Sequence, residues 1–566
     1  MKKLIIGQIP DNFDSDIHIP ISPSCFIGKE DIFPDFENLD YLSIIKSRVD
    51  LKNYDQLCTK EALYWVNIIA KKYNPDEFYK HSFRFWKTLY FPWLGLVIPW
   101  FYRKQLLILK IIEKYRNEDV TIELIEENLT FEVKNEIDFI IDGIWNQTIN
   151  DLIYSRIIER NLPDNWKIIY KEGSYKSDKE TISRFNKTKS LKSKIVDNLS
   201  KIGFRSKGVY GLNIINNIYF HFLQSFKPPI EINRKADVSN PEKSQINWGF
   251  NIVQIIELLV PQSLSKINFE ENKRKFIKGK LVNYSNRLYY DFNTKLEAAY
   301  AYENDEIVIA TQHGGHNYGS AFAFEYGTEI EFKSDVFISW GWKAHDINVL
   351  ALVSPLLSKY LDTHKKSNNN IIMVGTDMVG FSTRFDSSPD EIAYINYRKN
   401  KVIFIKKLES EIKSLFLYRP YPEKKTSFLD SSYILNDFPE LSIHKGDLRS
   451  DLKKCNLLVL DHPGTTWNIA MAMNTPTVCF WKRENFPFNK EAEFFLDKFE
   501  MLGLFFDDPV EAAKKVNSIT KEYDDLSEWW NGKEIQELRH EWMDKYARAD
   551  RNWFWIWTKT LWNLGK

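Results

Sequence analysis

Two imidazoles, two side-chain amides and a phenol crowd one short segment, TQHGGHNYG at residues 311–319. It follows the apolar, β-branched run 307–310, which predicts a strand buried on both faces. The glycines let the backbone turn tightly and approach a ligand closely. In an open α/β sheet, ligands lie just beyond the carboxyl ends of the strands. We therefore predict a ligand-binding loop here, in preference to a glycine turn whose histidines bond only to their neighbours.

This loop does not have the pattern of a metal site. His313 and His316 are three residues apart, but no carboxylate or thiol stands at ligand spacing. The run DVFISWGW at 335–342 predicts the next strand and its exit. Together with the strand predicted at 280–284, these elements alternate strand and helix, which is typical of a parallel sheet.

A second segment whose residues could take part in binding or catalysis is LDHPGTTWNIAMAM at residues 460–473. The apolar run 457–460 before it predicts a buried strand, which would deliver Asp461 and His462 to its carboxyl end. Beside a phosphate, His462 would donate a hydrogen bond and help to neutralise a leaving nucleotide. The composition of the segment therefore indicates a phosphate-binding loop.

The turn of this segment supports the same interpretation. Gly464 lets the backbone turn tightly, and Thr465 and Thr466 would cap a helix. The unpaired N–H groups and the dipole of a helix N-terminus favour an anion. The alternative is an ordinary helix cap beside a turn proline, and we prefer phosphate binding.

Three further residues are candidates on the nucleotide side. Arg419 ends the preceding predicted strand and could hold a phosphate through two parallel hydrogen bonds. Glu491 and Glu493 follow the last predicted strand, and their carboxylates could accept hydrogen bonds from ribose hydroxyls. We therefore add Arg419 and Glu491 to the predicted donor-nucleotide site, which otherwise consists of His462, Gly464, Thr465 and Thr466.

Composition excludes several classes of protein. The chain has 566 residues, 43% of them hydrophobic, so it can form more than one core and is not disordered. Lys plus Arg and Asp plus Glu both number 77, which argues against nucleic-acid binding by bulk charge. The four cysteines have no paired spacing and indicate free thiols in a reducing compartment. Without an 18-residue apolar run or a signal segment, we expect a cytoplasmic protein.

The chain divides at one polar linker. HKKSNNN at 364–370 separates a predicted first α/β domain, residues 1–363, from a second α/β domain, residues 371–525. The tail, residues 526–566, carries seven tryptophans and is expected to pack back across the first domain. The polar, basic stretch at about 166–210 is predicted to be a solvated insertion, with a basic patch facing the membrane surface or an anionic acceptor as the alternative.

These features resemble the GT-B glycosyltransferase architecture, in which two Rossmann-like domains are joined by a hinge and a C-terminal helix returns to the first domain. TQHGGHNYG, DVFISWGW, LDHPGTTWNIAMAMNTPTVCFW and the later GLFFDDPVEAA resemble a family of transferases in bacterial O-antigen and surface-polysaccharide gene clusters. The resemblance is strongest over 280–345 and 455–515. The DHPGTT segment is also similar to teichoic-acid-type glycerophosphotransferases and to GT-B enzymes that use CMP-linked sugars.

The resemblance implies a GT-B-like glycosyltransferase that moves a sugar from a nucleotide-activated donor, with CMP as one candidate nucleotide, to a surface-polysaccharide acceptor. The acceptor would be a glycan or a lipid-linked glycan, reached in the cytoplasm or at the inner face of the membrane. The nucleotide-sugar is a substrate, and we expect neither a cofactor nor a metal. Two alternatives stay open: a CMP-polyol phosphotransferase and a non-catalytic carbohydrate-binding protein.

Roles in this hypothesis follow from side-chain chemistry. His313 is the candidate catalytic group, as general base on the acceptor hydroxyl or as a charge stabiliser. Asp291 and Glu325 are the carboxylate candidates for base or nucleophile. Gln312 and Asn317 would orient sugar hydroxyls. The predicted substrate-binding set is Gln312, Gly314, Gly315, His316 and Asn317.

Overall fold

In the computed structural model, the strands that the structure describes form three parallel sheets. The residues that the structure describes are 1–126, 129–187, 206–207, 212–213, 215–216, 218–220, 241–269, 282–284, 287–304, 306–315, 318–321, 325–344, 348–376, 380–385, 390–422 and 426–563. The predicted α/β class with parallel strands is confirmed.

The first sheet has the order β2-β1-β3-β4, and every pair in it is parallel. Its strands are β1 Lys2–Ile5, β2 His18–Pro20, β3 Val120–Ile125 and β4 Trp166–Lys171. The basic stretch predicted as a solvated insertion therefore begins with an edge strand of this sheet and continues into the helix Lys179–Lys187. Most of the stretch beyond residue 187 lies outside the described residues.

The second sheet runs in chain order, again with parallel pairs. Its strands are β5 Ser206–Lys207, β6 Val282–Tyr284, β7 Val308–Thr311, β8 Val336–Ser339 and β9 Val349–Ala351. All residues of β7 and β8 are buried, as the apolar runs 307–310 and 335–342 predict. The loop at 312–315 leaves the carboxyl end of β7.

The third sheet has the order β12-β11-β10-β13-β14-β15. Its strands are β10 Ile371–Val374, β11 Phe416–Arg419, β12 Ser442–Ile443, β13 Leu457–Leu460, β14 Thr477–Phe480 and β15 Phe505–Phe506. The chain moves outward from β10 to β12 and then returns to the other side of β10 at β13. Such a reversal opens a crevice at the carboxyl ends of the two central strands, here β10 and β13.

Helices cover these sheets. The longer helices are Arg48–Tyr73, Phe83–Tyr115, Gln147–Asn161, Lys179–Lys187, Ile252–Leu259, Phe292–Glu303, Glu391–Lys407, Asp430–Asp437, Thr465–Met473, Lys490–Met501, Pro509–Glu522, Lys533–Tyr546 and Trp553–Asn563. The shorter ones are Pro75–Phe78, Glu136–Phe139, Gln262–Ser265, Arg287–Tyr290, Glu325–Gly327, Pro355–Ser358, Ser410–Lys413, Leu448–Leu452 and Leu526–Trp530.

The helix Phe83–Tyr115 lies at the centre of the largest core cluster. Trp86, Trp93 and Trp100 on it are almost wholly buried, so the aromatic spacing in the sequence marks a core helix, as predicted. Pro92 and Pro99 lie inside this helix. Within the described ranges, no helix is long and apolar enough to cross a membrane.

The tail contacts both of the later sheets. Trp542 stacks on Trp467 of the third-sheet unit, with ring centroids 4.4 Å apart. Further along, the backbone N–H of Arg548 donates to the carbonyl of Trp340, just after β8, at 2.8 Å. The indole N–H of Trp557 donates to the carbonyl of Val353 at 2.7 Å. The tail thus ties the second sheet to the third.

Burial of Asp151, on the helix Gln147–Asn161, predicts that the free energy of unfolding depends on pH. Its carboxylate accepts a hydrogen bond from Gln147, but burial raises the pKa of Asp151 to about 6. Between the unfolded and folded pKa values, from pH ~4 to ~6, the folded chain binds more protons than the unfolded chain, so stability falls as pH rises. We expect Asp151→Asn to be more stable than the native chain by about 2 kcal/mol above pH ~6, with the difference vanishing below pH ~4.

Denaturant unfolding at several pH values between those limits measures this difference. The exposed Asp164 offers a matched control, because Asp164→Asn should run parallel to the native chain at every pH. If the difference in unfolding free energy between Asp151→Asn and the native chain is the same at every pH, the Asp151 carboxyl has the same pKa in the folded and unfolded states, and the prediction is wrong.

Candidate active site

The two glycine-containing loops singled out in the sequence touch each other. A Cβ placed on Gly315 would lie 2.5 Å from the carbonyl carbon of Gly464 and 2.6 Å from the backbone nitrogen of Thr465. A Cβ on Gly314 would lie 3.8 Å from Oγ1 of Thr465. Glycine at 315 therefore permits backbone-to-backbone approach between the ends of β7 and β13.

Hydrogen bonds hold the same two regions together a few residues further on. Ala321 forms an isolated antiparallel bridge with Phe488. The backbone N–H of Asn489 donates to the carbonyl of Ser320 at 2.8 Å, and its side-chain amide donates to the carbonyl of Gly319. The loop after β7 is thus fixed against the segment that follows β14.

The imidazole of His313 lies within hydrogen-bond distance of a buried carboxylate. Its Nε2 lies 3.1 Å from Oε1 of Glu331, which is fully buried, and also contacts the hydroxyl of Tyr318. The hydroxyls of Tyr289 and Tyr318 donate to Oε2 of Glu331 at 3.0 and 3.1 Å. Burial, followed by the charge of Glu331, raises the pKa of both tyrosines well above the usual value, so both stay hydrogen-bond donors.

This arrangement orients the imidazole. A carboxylate that accepts the Nε2 proton leaves Nδ1 as the basic nitrogen of a neutral histidine. Among the described residues, Nδ1 of His313 has no hydrogen-bond partner, and the side chain keeps 21% of its surface exposed. Glu331 thus orients the ring, and a neutral histidine held in this way can take a proton from a ligand.

His462 is oriented in a similar way on the opposite loop. Its Nδ1 lies 2.9 Å from Oδ1 of the buried Asp461, and the hydroxyl of Tyr397 donates to the same oxygen at 2.6 Å. Tyr397 also accepts the backbone N–H of Thr376, just after β10, at 2.9 Å. Asp461 thus holds His462 at the crevice between β10 and β13, with Nε2 left to meet a ligand.

The helix after this loop begins at Thr465 and has Gly464 as its N-cap. Thr465 and Thr466 were predicted to cap the helix, but both belong to its first turn, and no side chain caps it. The N–H of Trp467 donates to the carbonyl of Gly464 at 3.2 Å. The N–H groups of Thr465 and Thr466 therefore remain for an anionic ligand or for water. Both loops present an oriented imidazole, and one of them adds uncapped helix amides.

A family model described as LIC12162 family transferase matches residues 2–561. The chain belongs to the LIC12162 family of transferases. It is therefore an enzyme that moves a chemical group between two substrates. A comparison with curated proteins finds no match.

In this LIC12162 family transferase, the side chain of Gln312 forms hydrogen bonds to other groups of the protein. Its Oε1 accepts hydrogen bonds from the backbone N–H of Trp340 at 2.8 Å and the indole of Trp342 at 2.9 Å. Its amide nitrogen donates to the carbonyl of Gly314 at 2.8 Å. Gln312 thus shapes the loop after β7. His316 and Asn317 lie outside the described residues.

The predicted carboxylates have other partners. Asp291 caps the helix Phe292–Glu303 by accepting the N–H of Thr294, and Glu325 accepts a hydrogen bond from Gln56. Glu491 forms an ion pair with Lys545 of the tail at 2.6 Å. No hydrogen bond or ion pair among the described residues joins Asp291, Glu325 or Glu491 to either histidine loop. The sequence did not single out Glu331, the carboxylate that does reach His313.

Arg419 is likewise held by protein groups. Its guanidinium donates to the carbonyl of Gly446 at 2.8 Å and lies 3.1 Å from Nδ1 of His444. His444 in turn contacts Asp451 at 2.8 Å. Arg419 therefore fixes the loop after β12 at the carboxyl edge of the third sheet. In the described part of the chain, no group of three or more His, Cys, Asp and Glu side chains has the geometry to hold a metal.

A buried charge network supports the loop of His462. Lys401 forms an ion pair with Asp430, lies 3.8 Å from Asp461, and stands over the ring of Tyr397 at 4.2 Å. The hydroxyl of Tyr418 also donates to Asp430, at 2.8 Å. Residues 401 and 430 are far from the motif in sequence, and no local pattern marks them. The network fixes Asp461, and through it His462.

Proposed function

We propose that this transferase is a GT-B-like glycosyltransferase that moves a sugar from a nucleotide-activated donor to a surface-polysaccharide acceptor. The single observation that carries the proposal is the meeting of two strand-end loops, each with an oriented histidine, from two separate parallel sheets. A transfer reaction needs two substrates side by side, and this junction offers one loop to each. The acceptor would be a glycan or a lipid-linked glycan, at the inner face of the membrane in the second case.

The third sheet would bind the donor. Its strand order places the crevice of a doubly wound nucleotide-binding sheet at β10 and β13, where Asp461 and His462 lie. The uncapped N–H groups of the helix Thr465–Met473 would receive the donor phosphate, and His462 would donate to it through Nε2. CMP is one candidate nucleotide, and charge neutralisation by these groups would make a metal unnecessary.

The loop after β7 would activate the acceptor. Nδ1 of His313 would take the proton of the acceptor hydroxyl while its oxygen forms a bond to the anomeric carbon of the donor sugar. The bond from that carbon to the donor phosphate would break, and the released charge would fall on the helix amides and His462. Contact between Gly315 and Gly464 would hold the two halves of the reaction together and exclude water.

Two alternatives are tested by the same purified protein. Membership in a transferase family argues against a non-catalytic carbohydrate-binding protein. A CMP-polyol phosphotransferase would use the same helix amides and His462, but its product would carry a new phosphodiester. Phosphorus NMR and mass spectrometry of the product decide between them, because a glycosyl product contains no phosphorus from the donor.

Nucleotide binding tests the donor site directly. Isothermal titration with CMP, UDP, GDP and dTDP should show preference for one nucleotide. His462→Ala should weaken the binding of that nucleotide by roughly ten- to a hundredfold, because a hydrogen bond to a charged group is lost. His540→Ala removes an exposed histidine of the tail and should leave affinity unchanged. Equal affinity in His462→Ala and the native enzyme would remove His462 from the site.

A further inference from the structure

The helix Trp553–Asn563 packs one face against the sheet that carries the first histidine loop. Trp557 and Leu561 are buried and belong to the same core cluster as Ile309 of β7 and Ile338 of β8. Ile309 lies in the strand that leads into the loop proposed to activate the acceptor. This helix therefore covers the sheet on which the acceptor would react.

The outer face of the same helix exposes tryptophan. Trp555 is 67% exposed and Trp562 is 46% exposed. Lys559 stands between them in sequence and is also exposed. Spacings of four and three residues place the three side chains on one stripe of the helix. The stripe therefore combines two large indole rings with a positive charge.

A neighbouring segment extends the apolar part of this surface. The ring centroid of Tyr219 lies 5.0 Å from that of Phe554. Tyr219 is exposed, and so is Ile215, four residues before it. Exposed tryptophan and tyrosine are typical of membrane interfaces, where their rings lie among the lipid headgroups. We call the surface formed by Ile215, Tyr219, Trp555, Lys559 and Trp562 the aromatic face.

The charge of the tail fits an anionic surface. Residues 551–566 contain the basic residues Arg551, Lys559 and Lys566 and no aspartate or glutamate. Neither Arg551 nor Lys559 forms an ion pair with a described residue. Anionic lipid headgroups attract such cations, whereas the core of a protein–protein interface is depleted in lysine. A lysine between two exposed tryptophans therefore favours a membrane surface over a protein partner.

A second helix has exposed apolar residues at the same spacing but a different charge. Phe494 and Met501 lie seven residues apart and are exposed, with Lys498 between them. Lys498 forms an ion pair with Glu541 at 2.6 Å, and the adjacent Asp497 is exposed as well. An anionic bilayer would not attract this face. It is therefore a matched control for the aromatic face.

We propose that the aromatic face docks this transferase on an anionic lipid bilayer, with Trp555 and Trp562 among the headgroups and Lys559 on lipid phosphates. The helix of 11 residues is roughly 16 Å long and lies along the surface, since a hydrocarbon core is about 30 Å thick. Docking places the second sheet next to the bilayer. The inference rests on the proposed function in one respect, because it makes the acceptor lipid-linked.

Co-sedimentation of the full-length enzyme with lipid vesicles tests the proposal. The vesicles contain phosphatidylcholine alone or with about 30% phosphatidylglycerol. We expect binding to the anionic vesicles to be at least about tenfold tighter than to the neutral ones, and to weaken as salt is added. Equal binding to both vesicles, or no binding to either, overturns the proposal. Vesicle binding needs neither donor nor acceptor, so its failure is distinguishable from a failure of the transfer reaction.

Variants locate the binding. Trp555→Ser and Lys559→Glu should each weaken binding to the anionic vesicles by roughly tenfold or more. Both side chains are exposed, so Tm should stay native and a loss of binding cannot be ascribed to unfolding. Phe494→Ser and Lys533→Glu make the same changes at exposed positions of other helices and should keep native affinity. Native affinity in Trp555→Ser, or an equal loss in the two control variants, overturns the proposal.

Sedimentation velocity distinguishes a bilayer from a second copy of the chain as the partner of this face. We expect the enzyme without lipid to sediment identically with and without the Trp555→Ser change. A dimer that Trp555→Ser dissociates, in an enzyme that does not bind vesicles, overturns the proposal and assigns the aromatic face to self-association.

Discussion

Replacing His313 by alanine is expected to lower kcat by roughly 10²–10⁴-fold, the usual contribution of a positioned general base. The expectation rests on the buried Glu331, which accepts the Nε2 proton and leaves Nδ1 to the acceptor. The measurement is the steady-state rate of product formation with the donor that the nucleotide titration identifies. Free imidazole should restore part of the activity of His313→Ala, because it can occupy the space of the side chain and take the same proton.

Glu331 and an unrelated histidine provide the controls. Glu331→Gln should lower kcat while leaving the acceptor KM near its native value, since the Glu331 carboxylate bonds to His313 and two tyrosines in the described part of the chain. His540→Ala should have native kinetics. Full turnover in His313→Ala would make His313 a structural residue, and a fall in kcat without any imidazole rescue would argue for a role in shaping the loop.

Replacing Lys401 by methionine is expected to destabilise the fold by up to about 3–5 kcal/mol, because Asp430 loses its closest cation and keeps the more distant Arg398, 3.5 Å away. Lys401 is wholly buried, forms an ion pair with Asp430 and lies 3.8 Å from Asp461. Asp461 also has an oxygen, Oδ2, that is buried without a hydrogen bond, so Lys401 supplies the nearest positive charge. The loss should appear in denaturant unfolding and, because Asp461 orients His462, in weaker nucleotide binding as well.

The same helix offers a matched control. Lys406 is exposed in its last turn, and Lys406→Ala should change stability by less than about 0.5 kcal/mol. Adding Asp430→Asn to Lys401→Met should recover part of the loss, since the pair is then removed together. A loss below about 1 kcal/mol in Lys401→Met would mean that water or the tyrosines already compensate Asp430 and Asp461.

Local pattern was enough to predict the strands that carry the two loops. The runs before Gln312 and Asp461 are short and apolar, and both are fully buried parallel strands. Helical spacing likewise marked Trp86 and Trp93 as core residues. Each of these features depends on neighbours within one strand or one turn, so the sequence of a few residues contains the information.

Side-chain partners were less predictable from the same residues. Asp291 and Glu325 are close to the first loop in sequence and were candidates for catalysis. In the structure, Asp291 caps a helix and Glu325 accepts a hydrogen bond from Gln56. Glu331 reaches His313 because the turn Thr328–Phe332 brings it back under the loop. A carboxylate has the same appearance in a sequence whether it caps a helix, forms an ion pair or orients a histidine.

The sequence by itself determined the α/β class, the strand-loop pattern at 307–315 and 457–466, and the aromatic core helix, because periodicity and glycine positions act locally. Only the tertiary structure decided that the described strands form three sheets, that Gly315 meets Gly464, and that Glu331 and Asp461 each orient a histidine. Contacts between distant segments depend on how whole sheets pack, and no short stretch of sequence contains that packing.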